Sequence, residues 1–143
     1  MNKATEWYKK GAATGNYGCC VQLGFRYLRG DCSTIKKDVD KALELFLQSI
    51  KGNQNGIWAY HGAGLAYLER AQGLSDFQKA VEMFRKAADR GLSESQHCLG
   101  KCYETGRGVV KNPKEAEEWY RKAAEQGHKN AKQALKRLGV DSE

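Results

Sequence analysis

Five cysteines, three histidines and a few clustered carboxylates are the side chains with chemistry to offer in this 143-residue sequence. Cys98 and Cys102 stand four apart and would present two thiolates from one face of a helix, as a zinc site needs. A structural zinc site wants four ligands, however. His97 lies about 100° around such a helix from Cys98, and no second Cys-x-x-Cys or His pair follows. Core packing is the expected role of both thiols. Cys19, Cys20 and Cys32 complete an odd count with two neighbours adjacent, a poor disulfide framework. Free cysteine also serves as a small buried hydrophobe.

His61, His97 and His128 fall far apart, and none has a carboxylate and a nucleophile near it in the pattern of a triad. His128 follows Gly127 and is expected in a solvent-facing turn. Glu115, Glu117 and Glu118 suit the positive end of a helix better than acid–base work. Gly106-Arg107-Gly108 reads as a loop between helices rather than a phosphate cradle, and no nucleotide-binding glycine motif follows a strand. No catalytic residue, metal or cofactor is assigned. The expectation is a protein that is not an enzyme.

These residues sit on a repeating frame. Lys3-Ala4-x-x-Trp7-Tyr8, Lys41-Ala42-x-x-Leu45-Phe46, Lys79-Ala80-x-x-Met83-Phe84 and Glu115-Ala116-x-x-Trp119-Tyr120 align at steps of 38, 38 and 36 residues. Each block continues into a small pair (Gly11-Ala12, Ser49-Ile50, Ala87-Ala88, Ala123-Ala124) and ends at Gly15, Asn53, Gly91 or Gly127. Apolar positions every three or four residues make one stripe of a helix. The terminal Gly or Asn is the residue that tolerates a left-handed helix end. Asp38, Asp76 and Asn112 precede the aligned alanines by four residues and read as N-caps. Pro113, the single proline, falls at the first helical position, and Glu115 would complete a capping box.

A second helix precedes each of these, patterned small-x-x-x-Leu-Gly-x-x-Tyr. It appears as Cys19 to Tyr27, as Ser95 to Tyr103 and, after a two-residue insertion near Gln54-Asn55, as Ala59-x-x-x-Ala63-Gly64-x-x-Tyr67. A degenerate copy begins at Ala131 and breaks off at Lys136. Glycine inside a helix costs about 1 kcal/mol against alanine, so its recurrence implies close helix contact. Helix pairs of this length cannot bury their apolar faces alone and stack on one another. The fold expected is all-α, helix pairs stacked side by side into an α/α superhelix, a solenoid. Residues 1–143 form a single repeat domain with units near 1–15, 16–53, 54–91, 92–127 and a capping helix at 128–143. The pattern opens mid-unit, which leaves room for an upstream helix.

Leu99-Gly100-x-x-Tyr103-x-x-Gly106-x-Gly108-Val109, followed by Asn112-x-x-x-Ala116-x-x-Trp119-Tyr120-x-Lys122-Ala123-Ala124-x-x-Gly127, closely resembles the Sel-one-like repeat (SLR). The resemblance runs through the whole chain. It is loosest in the middle unit, which has no Gly-x-Gly-Val loop. It implies a right-handed α/α superhelix of tetratricopeptide-like helix pairs, and a scaffold or adaptor that holds a partner protein or peptide on its concave face. A narrower version is an inhibitor, such as a bacterial immunity protein that neutralises a toxin. Some cysteine-rich relatives of this repeat resemble β-lactam-binding proteins with a disulfide pair in every unit, a regularity this sequence lacks.

In tetratricopeptide-like pairs the first helix lines the concave side. The positions left to face a partner are Val21, Phe25 and Leu28, then Tyr60, His61 and Leu68, then His97, Lys101 and Glu104, with Gln133 and Arg137 on the last helix. The expected surface runs from apolar to charged and suits an amphipathic segment. Trp58 is a further candidate anchor, equally suited to a core. Acidic and basic residues interleave throughout a net charge of +7, without the basic, aromatic-laced stripe of a nucleic-acid binder. No apolar run is long enough to span a membrane. The N-terminus lacks a signal-like apolar core. A cytoplasmic monomer is expected from the chain as written, or a periplasmic or secreted one if a leader has been removed.

Overall fold

A computed structural model of the chain describes residues 6–7, 9–11, 17–30, 37–52 and 56–139. Cys32, the proposed helix ends at Gly15 and Asn53, and the insertion at Gln54-Asn55 lie outside the described residues. Among the described residues the regular structure is helical throughout, with no strand. Besides the helical residues 6–7 and 9–11, its elements are α1 (Tyr17–Arg29), α2 (Val39–Gly52), α3 (Ile57–Arg70), α4 (Leu74–Asp89), α5 (Ser93–Thr105), α6 (Pro113–Glu125) and α7 (Lys129–Arg137). The chain divides into two compact units, residues 1–71 and 72–143.

In the first unit α2 packs against both α1 and α3. The ring of Phe46 on α2 is fully buried, and glycines from the two neighbours make its slot. A Cβ on Gly24 of α1 would stand 2.8 Å from that ring, and one on Gly62 of α3 only 2.4 Å. Burying such a side chain contributes about 1.5–3 kcal/mol, which offsets the helix-propensity cost of the glycine opposite it. Cys20, Leu23 and Leu45 form an adjoining cluster, with Tyr27 packed against it.

The second unit repeats the device. Tyr120 of α6 is fully buried, and a Cβ on Gly100 of α5 would meet its ring at 2.8 Å. Around it Ala116, Ala123, Ala131, Ala134 and Leu135 close the core between α6 and α7. The loop after α5 lies against α4: Gly108 has φ +72°, and a Cβ there would fall 2.4 Å from the Phe77 carbonyl oxygen. Only a residue without a side chain fits both constraints. Arg107 beside it lies 5.9 Å from the Phe77 ring centroid.

Two of the three expected caps form. Asp38 Oδ1 accepts the Lys41 N–H at 3.0 Å, and Asn112 Oδ1 accepts the Glu115 N–H at 3.2 Å ahead of Pro113. The capping box at Glu115 is incomplete. The Asn112 N–H goes instead to the Tyr103 carbonyl at 2.9 Å, as the Asp38 N–H goes to the Tyr27 carbonyl at 2.8 Å. These bonds tie the start of the second helix to the repeat tyrosine of the first. Asp76 is not an N-cap. Helix α4 begins earlier, after Gly73, so Asp76 falls in its first turn, buried, with Oδ2 accepting the Gln72 N–H at 2.9 Å.

Candidate functional site

The second unit brings its expected surface residues onto α5 and α7. Glu94, His97, Lys101 and Glu104 recur every three or four residues and share one face of α5. Glu104 Oε1 accepts from Arg137 Nη2 of α7 at 2.8 Å and from the Tyr120 hydroxyl at 3.2 Å. The Arg137 hydrogen bond holds the Glu104 carboxyl below its usual range, against the opposing pull of burial. Burial, then the neighbouring Glu104 charge, pushes the Tyr120 phenol upward. Lys101 and Gln133 are exposed.

His97 is half-buried on this face. Its ring stacks on His128 at 4.9 Å between centroids and tilts against Tyr120 at 5.7 Å. Burial first, then the charges of His128 and Lys101, lowers its pKa to about 4, against weaker opposing pulls from Glu94 and Glu104. His128 does not face solvent as expected. Its Nδ1 accepts the Ala131 N–H at 3.2 Å and caps α7, while Nε2 lies 3.3 Å from Glu94 Oε2. The equivalent position at the start of α5 is Leu92, which makes no side-chain cap. A polar residue directly after the helix-ending glycine is the signal that would have revealed the cap. Nearby, Gln126 Nε2 donates to Gln96 Oε1 at 3.0 Å.

The first unit offers an aromatic surface. Phe25 of α1 meets Phe46 edge-on at 4.9 Å and Trp58 of α3 at 6.4 Å; Trp58 in turn meets His61 at 5.7 Å. Trp58 is 50% exposed, so the anchor role is open to it. Val21 and Leu68 are half-buried. Three of the expected surface positions are core instead. Leu28 continues the buried stripe of Cys20 and Gly24 along α1. Tyr60 and His61 lie in α3, where every residue from Ala59 to Gly64 is buried and little of the helix faces outward.

Burial raises Cys98 to about 12 and Cys102 to about 11, with the Cys102 neighbour adding to the effect on Cys98. Among the described residues no three His, Cys, Asp or Glu side chains gather to hold a metal ion. No described helix is long and apolar enough to cross a membrane.

Helix pairs repeated with a glycine against a ring define an all-α solenoid protein. The Sel1 repeat model matches residues 1–16, 19–53, 59–92 and 93–128, and the chain belongs to the Sel1 repeat family. A protective antigen of uropathogenic Escherichia coli displaying an SLR fold is similar over 97% of this chain and 30% of its own, with TM-score 0.83 and 33% identity. A Sel1 repeat protein from Oxalobacter formigenes is similar over 91% of this chain and 95% of its own, with TM-score 0.68 and 32% identity. Chitin synthase regulatory factor 3 of Schizosaccharomyces pombe is 29% identical over 96% of this chain, which spans only 15% of that regulator. Sel1 repeat proteins generally mediate protein–protein interaction.

Proposed function

We propose that this chain is a non-catalytic binding module that holds a partner protein or peptide on the faces of its first helices. In the first unit the contact residues are Val21, Phe25, Trp58 and Leu68. In the second they are His97, Lys101, Glu104, Gln133 and Arg137. The observation that carries this reading is the half-exposed Trp58 edge-on to Phe25 in a chain built of Sel1 repeats. Trp is among the residues that most often dominate binding energy, and a large aromatic left in water invites cover. The similarity to a regulatory factor supports a role in controlling another protein rather than in catalysis.

The test is capture of the native partner by the tagged chain, then measured affinity for Phe25→Ala and Lys101→Glu. A loss of about tenfold or more for at least one variant is expected. Unchanged affinity for both would remove the helix faces from consideration. An effector enzyme that is captured and loses its activity on binding would make the module an inhibitor; a multiprotein assembly would make it an adaptor.

A further inference from the structure

We infer that the α1–α3 face of the first unit docks an acidic peptide segment through one bulky apolar side chain seated on Phe25 and Trp58. This deepens the protein-binding reading above and rests on it. The anchor is geometric. Phe25 and Trp58 meet edge-on with centroids 6.4 Å apart, and Trp58 leaves half its surface to solvent. Phe46 holds Phe25 from below at 4.9 Å, and His61 holds Trp58 at 5.7 Å. Two rings held in this way lose little freedom when a third apolar group covers them.

The sign of the partner follows from the charges around the rings. Helix α1 carries Arg26 and Arg29 in its last turn and no Asp or Glu along its length. Val21, Phe25 and Arg29 are spaced four apart and share one stripe. The Arg29 guanidinium carbon lies 5.7 Å from the Phe25 centroid, so a positive charge borders the aromatic surface. Glu69 of α3 and Asp40 of α2 each have a basic partner of their own. Glu69 is bound by Lys37 at 2.7 Å, and Asp40 faces Arg70 at 3.7 Å. A segment with Asp or Glu flanking its apolar anchor therefore gains at the rim, while a basic segment is repelled.

Panning a displayed library of random short peptides on the intact chain tests this. Enriched sequences should carry one aromatic, Leu or Met residue flanked by Asp or Glu. Synthetic copies should lose about tenfold in affinity or more on Trp58→Ala. Arg29→Glu should weaken them about threefold or more, with a shallower salt dependence, and Arg29→Lys should keep most of the binding. Trp58 is half exposed, so its loss should leave the helical circular dichroism intact, and Phe25→Leu supplies a second variant. Enriched peptides that depend on Trp58 but lack acidic residues would overturn the acidic partner and leave the binding module standing. Peptides indifferent to Phe25, Trp58, Arg29 and Lys101 alike would overturn both. Tighter, Trp58-dependent binding of single-stranded RNA would replace the peptide with a nucleic acid.

Discussion

Gly100 and Tyr120 are fitted to each other: the Cβ that Gly100 lacks would stand 2.8 Å from the Tyr120 ring. The ring cannot easily withdraw, because it is fully buried and its hydroxyl donates to Glu104 at 3.2 Å. Gly100→Ala gains about 1 kcal/mol of helix propensity and meets an overpacking cost of about 1–3 kcal/mol. A net loss of stability is expected in urea unfolding. Gly100→Leu should abolish the cooperative transition of the second unit. Shrinking the ring should restore part of the loss, so Gly100→Ala with Tyr120→Leu should be less unstable than the two single effects summed. Simple addition would show that the contact does not carry the cost.

A second prediction concerns the end of α3. Ala71 closes that helix with φ +34° and ψ +55°, its N–H donating to the Tyr67 carbonyl at 2.9 Å. The same place at the end of α5 holds Gly106, at φ +74°. Alanine is strained in this left-handed region, where glycine is at ease. Ala71→Gly should stabilise the chain by about 0.5–1 kcal/mol, the relief of strain exceeding the added freedom of the unfolded chain. Gly106→Ala should do the reverse by a similar amount. Paired urea melts check both signs, and a destabilised Ala71→Gly would refute the argument.

The contrast between these positions explains what the sequence discloses. Helix pairs are legible because a glycine opposite a ring leaves two marks at a similar separation, Gly24 with Phe46 at 22 positions and Gly100 with Tyr120 at 20. Asn112 is legible as a cap because Pro113 pins the helix start behind it. Asp76 misleads because Gly73 lets α4 begin sooner, which turns a cap into a buried first-turn acceptor. Surface positions are harder to read. Periodicity assigns one face of a helix to the core, but α3 is enclosed on more than one side, so Tyr60 and His61 go inward. His128 joins the site through a partner thirty-four positions earlier, Glu94, which no local pattern connects to it.

Thiol reactivity follows from burial. A thiol at about 12 or about 11, as for Cys98 and Cys102, holds on the order of 10⁻³ of its population or less as thiolate at pH 8. Alkylation by iodoacetamide should spare both in the native chain and reach them only on unfolding in guanidinium. Cys19 is half-buried beside fully buried Cys20 and should be modified before it. Mass spectrometry of a timed reaction reads the order. Rapid native labelling of Cys98 would contradict the packing around it.

Acid sensitivity is the last consequence, and it is carried by His97. In the unfolded chain a histidine titrates near about 6.5. In the folded chain burial, followed by the charges of His128 and Lys101, lowers His97 to about 4. Between these values the unfolded chain takes up a proton that the folded chain refuses, so stability falls as the pH is lowered through that window. Below about 4 both states are protonated at this site and the contribution levels off. Above about 6.5 neither is, and the full stability is retained. Urea unfolding at pH 7 and pH 5 should therefore show a loss in the wild type that is smaller in His97→Gln. The glutamine keeps a polar side chain beside His128 and Tyr120 but does not titrate, and the other ionisable groups are common to both proteins. Equal losses in the two would mean that His97 is as free to protonate in the fold as in the open chain.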